Sequence, residues 1–91
     1  MPILFNLGKC VATPGAIRFC EINNISTTEL LNRHVSGDWG QLCDSDKKQN
    51  DEAVKRGTRI FSAYEFGDMG KIWIITEADR SSTCVLLPDE Y

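Results

Sequence analysis

The sequence predicts an α+β domain, and three observations carry that expectation. The first half contains two helix starts marked by capping residues, the second half switches after Thr58 to the period-2 alternation of strands, and the two patterns are segregated rather than interleaved. The expected order is an N-terminal strand, three short helices and a three-stranded antiparallel meander (β-α-α-α-β-β-β), in a single domain over residues 1–91.

Residues 5–12 read as a strand with Leu7 and Val11 on one face. Thr13 as N-cap followed by Pro14 starts a helix, because an N–H at the first helical position would be unbonded anyway. This helix runs to about Ile22 with Ala16, Ile17, Phe19 and Cys20 inward, and Asn23-Asn24 end it. Ser26-Thr27-Thr28-Glu29 is a capping box, with Ile25 and Leu30 placed as a hydrophobic staple. The helix it opens reaches Val35 with Leu30, Leu31, His34 and Val35 as its apolar stripe, and Gly37 stops it. A third, mostly polar helix is capped by Asp44 or Ser45 and ends at Gly57. Ala53 and Val54 face inward, and Asp51–Lys55 and Glu52–Arg56 are spaced as ion pairs.

Beyond Thr58, Ile60, Ser62, Tyr64 and Phe66 share one face, and Phe61, Ala63 and Glu65 the other. Residues 71–76 are apolar on both faces, which marks a central strand and assigns Trp73 to the core. Residues 77–81 turn the chain, residues 82–87 return, and Pro88 closes the last strand.

Ten Lys+Arg against thirteen Asp+Glu leave a net charge of −3, which disfavours nucleic acid and anionic membrane as partners. No apolar run approaches the roughly 20 residues of a membrane helix. Met1-Pro2-Ile3-Leu4-Phe5 lacks the basic start and long apolar run of a secretory signal, so the chain is expected in the cytoplasm. Cys10, Cys20, Cys43 and Cys84 match no common zinc spacing, and Cys10, Cys20 and Cys84 lie in hydrophobic runs, which suggests reduced, buried thiols. No phosphate-binding loop, dinucleotide fingerprint or metalloprotease motif is present, and neither a cofactor nor a metal is expected.

A few residues have side chains suited to chemistry. His34 titrates near neutrality in its unperturbed state, but it borders an apolar stripe, where a packed, hydrogen-bonded ring is expected. Glu77 and Asp79 are two apart in the last hairpin loop beside Arg80, so their carboxylates converge if the backbone is extended. Asp38 joins them if the Gly37–Gly40 connector packs nearby. Trp39, flanked by small and acidic residues, is either a partner anchor or a core residue. Asp38, Trp39, Glu77, Asp79 and Arg80 are therefore the candidate binding residues, and no catalytic set is assigned.

Val-Ala-Thr-Pro-Gly-Ala at 11–16, Leu-Asn-Arg-His-Val-Ser-Gly-Asp-Trp-Gly at 31–40 and the segment from Lys71 to Tyr91 are distinctive. Through them nearly the whole chain resembles a group of small proteins of bacterial plasmids and integrated mobile elements. Such proteins are described as "plasmid-related protein" and sometimes as "type I restriction subunit M". A DNA methyltransferase subunit needs a far larger cofactor fold, so the resemblance implies a genomic setting and assigns no residue a role. The reading that follows is a non-enzymatic accessory protein of mobile DNA that binds another protein, as a monomer or homodimer. The alternative is a small nuclease or other hydrolase using His34 with Glu77, Asp79 and Arg80.

Overall fold

Thr13 and Ser26 cap their helices where the sequence places them. The third helix instead includes Asp44 and Ser45 and has Cys43 at its cap position, with no side-chain cap bond. Thr13 Oγ1 accepts the Ala16 N–H at 3.1 Å and opens α1 (Pro14–Ile22). Ser26 Oγ accepts the Glu29 N–H at 3.2 Å and opens α2 (Thr27–Val35). The third helix, α3 (Asp44–Arg56), has Asp44 and Asp46 in its first turn and Lys55 and Arg56 in its last, matching the helix dipole. Gly57 ends it at φ 72°, a left-handed conformation that glycine adopts without strain.

The computed structural model, which describes residues 3–91, places four strands in one sheet: β1 (Lys9–Ala12), β2 (Ile60–Glu65), β3 (Lys71–Thr76) and β4 (Ser82–Leu86). Their order is β1-β4-β3-β2, with β2, β3 and β4 antiparallel in sequence and β1 parallel to β4. The α+β class and its three helices stand, but the sheet is four-stranded and mixed rather than a three-stranded antiparallel meander. The reason is that β4, apolar on both faces, has a free side. The N-terminal strand pairs there, and the three helices then carry the chain across one face to β2 at the far edge.

That helix-covered face holds the core. Ile60, Ile72, Ile74 and Val85 are essentially inaccessible, packed with Ala16 and Cys20 of α1 and Leu30 of α2 in one part and with Phe5, Val35, Trp39 and Ala53 in the other. The opposite face carries Phe61, Trp73, Ile75, Cys84, Leu86 and Val11. Trp73 is half-buried there, because the odd-numbered residues of β3 point away from the helices. The expected core role for Trp73 is corrected accordingly. Ile17 is 44% exposed rather than inward, and Cys10 is exposed because β1 lies at the rim of the sheet and spans only residues 9–12.

The two rims differ. On β2, the outward N–H and C=O groups of Phe61 and Ala63 and the N–H of Glu65 are engaged. Asn50 of α3 accepts the Phe61 N–H at 3.2 Å and donates to its carbonyl at 2.5 Å. Ala63 N–H reaches Trp39 O at 3.2 Å, Ala63 O accepts the Gln41 N–H at 2.7 Å, and Gln41 Oε1 accepts the Glu65 N–H at 2.8 Å. A side-chain amide thus imitates one strand residue and the connector supplies the rest. Only glycine fits at position 40, since a Cβ there would collide with the Ala63 carbonyl. On β1, Lys9 N–H bonds Ser81 O at 3.0 Å and Thr13 N–H bonds Val85 O at 2.9 Å. Residues 9, 11 and 13 therefore bond inward, and Cys10 and Ala12 turn their backbone groups outward.

Candidate functional site

His34 is fully buried, and both ring nitrogens are engaged. Leu7 O can only accept, so Thr83 donates to it at 2.7 Å and accepts from the Thr76 hydroxyl at 2.7 Å. Thr76 Oγ1 then accepts His34 Nε2–H at 2.9 Å, and His34 Nδ1 accepts the Ser62 hydroxyl at 2.5 Å. The chain of donors fixes the neutral ring with its proton on Nε2. Burial, with a smaller contribution from the Arg80 charge, pushes its pKa down to about 3. The Ser62–His34 contact has the distance of a nucleophile–base pair, yet Ser62, His34 and Thr76 expose no surface to a substrate. This network bonds the core together and agrees with the packed ring expected from the sequence.

The five candidate binding residues are placed as follows. Asp38 forms an ion pair with Arg33 at 2.7 Å and accepts the Gly40 N–H at 3.2 Å, and the guanidinium holds its carboxyl below the usual range. Trp39 is buried between Phe5 and His34, with its indole N–H donating to Asp51 at 3.1 Å. Asp51 thus takes the tryptophan instead of the expected Lys55. Arg80, at φ 60°, donates to the carbonyls of Ala53, Thr58, Glu77 and Ala78 at 2.7–3.2 Å, joining the hairpin loop to the end of α3. Asp79 accepts the Ser81 N–H at 3.0 Å, while Glu77 is exposed. Among the described residues, no hydrogen bond or ion pair joins Asp38 or Trp39 to the Glu77–Arg80 loop, and no group of three metal-ligating side chains occurs.

The outer sheet face presents a different feature. Phe61 meets Trp73 edge-on at 4.9 Å between ring centroids, and Trp73 meets Tyr91 edge-on at 5.9 Å. The Arg59 guanidinium lies 5.3 Å from the Tyr91 ring centre. With Ile75 they line a slot of about 220 Å³. It adjoins a trough of about 390 Å³ between α3 and β2, which shares Arg59 and Phe61 and is rimmed by Asp46, Glu52 and Arg56. Sequence reasoning missed this slot. Its signal is the second face of the alternation, Phe61 on β2 beside odd-numbered aromatic Trp73 on β3, which the assignment of Trp73 to the core obscures.

No helix among the described residues is long and apolar enough to cross a membrane. No family model, curated protein or solved structure matches this chain.

Proposed function

We propose that the chain is a non-enzymatic interaction protein whose binding surface is the outer sheet face around Phe61, Trp73 and Tyr91. The observation that supports this reading is a contrast in how side chains are used. The histidine, tryptophan, Asp38 and Arg80 that the sequence offered for chemistry are engaged in internal bonds, while an aromatic slot with a guanidinium at its rim stays open to solvent. Trp, Tyr and Arg are the residues that dominate protein-binding hot spots. The lining suits a protein segment with an aromatic or aliphatic anchor next to a carboxylate that Arg59 can meet. The resemblance to proteins of plasmids and integrated elements directs the search to partners that act in restriction, interference or transfer of DNA.

The test is affinity capture from a native bacterial host, comparing the unaltered chain with Trp73→Ser and Tyr91→Ala, alongside turnover assays on RNA, DNA and phosphoesters. A protein retained by the unaltered chain and lost by both variants is expected, with no turnover. Equal capture by all three would end the reading, as would nuclease activity abolished by Glu77→Gln or Arg80→Gln.

A further inference from the structure

We propose that the open edge of β1 is the interface between two copies of this chain, paired antiparallel about a two-fold axis at Val11. The argument begins with which backbone groups are free. Lys9 and Thr13 donate inward to Ser81 O and Val85 O, so the outward N–H and C=O groups of β1 belong to Cys10 and Ala12. In an antiparallel hydrogen-bonded pair, two facing residues exchange both bonds. An axis at Val11 sets Cys10 against Ala12 of the partner subunit, and Ala12 against Cys10 of the partner subunit, and all four outward N–H groups of the pair find carbonyls. An axis at Cys10 instead bonds only that residue to its copy and sets Ala12 against Gly8 of the partner subunit, where φ of +67° departs from strand geometry.

The side chains agree with the Val11 register. Val11 is 41% exposed and would face the partner's Val11 as a non-hydrogen-bonded pair, the closer of the two antiparallel spacings. Lys9 falls opposite Thr13 of the partner subunit. In each chain the Thr13 hydroxyl donates to Glu90 Oε1 at 2.6 Å, which anchors a carboxylate beside that position. The Lys9 ammonium of one copy therefore approaches the carboxylate of the other at both ends of the paired strands. Cys10 and Ala12, facing each other on the helix side, are small enough for close strand approach. The product is a closed, isologous dimer with one continuous sheet of eight strands, and its only remaining edges are the two β2 rims already covered. This surface is separate from the aromatic slot, so either assignment can fail without the other.

Two measurements test it. In sedimentation velocity over a concentration series, the unaltered chain is expected to dimerise. Val11→Lys should abolish this with unchanged circular dichroism, and Lys9→Glu should raise the dimer Kd about ten-fold. In a background carrying Cys10→Ser and Cys43→Ser, Val11→Cys should give a covalent dimer under mild oxidation, because facing non-hydrogen-bonded residues have the short Cα separation a disulfide needs. A chain that remains monomeric to millimolar concentration, or a dimer indifferent to Val11→Lys, overturns the proposal.

Discussion

The two rims of the sheet are built on opposite principles. β2 ends in a side-chain amide, a connector and a glycine that together bond every outward backbone group of Phe61 and Ala63, and the Glu65 N–H. β1 ends in four exposed or half-exposed residues with two pairs of outward groups turned to solvent. An unpaired edge is a template for another strand, and natural proteins usually blunt it. Among the described residues one rim is closed and the other left bare, so strand addition is obstructed at β2 and open at β1.

The largest expected effect comes from the closed rim. Trp39→Ala removes the packing between Phe5 and His34 and loosens the connector, at a cost of about 3–5 kcal/mol in urea unfolding. Next is the buried histidine, whose network runs from Ser62 on β2 through Thr76 and Thr83 to Leu7 ahead of β1. Its folded pKa lies near 3, below the ordinary 6.5, so the unfolded chain binds the extra proton between those values. Stability should therefore fall as pH drops from about 6.5 toward 3, by a total on the order of 4 kcal/mol. A His34→Gln variant, measured by unfolding at several pH values, should lack that slope. Asn50→Ala strands the Phe61 N–H and carbonyl and should cost roughly 2–4 kcal/mol. At the open rim, Val11→Lys should change monomer stability by less than about 0.5 kcal/mol, and a shift as large as that of Asn50→Ala would erase the contrast. The smallest effect is kinetic: Cys10 and Cys43 should alkylate quickly in the native protein and Cys20 slowly, as read by mass spectrometry.

Much of this was legible in the sequence for local reasons. Thr13, Ser26 and Gly57 set helix ends through bonds to residues three or four away, and a single chain displays such spacings. The apolar stripe of α2 placed His34 inward by the same logic. The β1–β4 pairing was not legible, because no local pattern says which distant strand a four-residue segment joins or in which direction. The polar candidates misled for a related cause. Asp38 and Arg80 look like solvent-facing charges, but Asp38 is held by Arg33 and the Gly40 N–H in the turn around it, and Arg80 by the carbonyls of Ala53 and Thr58, brought near only by the fold. Asn50 hid in the same way: a polar residue on the inward stripe with Ala53 was the one hint that a backbone needed an amide.

The parallel pairing of β1 with β4 also orders events in time. Residues 9–12 are made well before their partner strand, residues 82–85, and closing so long a loop is slow compared with forming the helices between. The β1 edge therefore comes into being only after the last strand has been made and docked. Native-state hydrogen exchange should find it among the first segments to open. A surface assembled in this way forms only once β4 has docked, so whatever pairs with it meets a sheet that is already built.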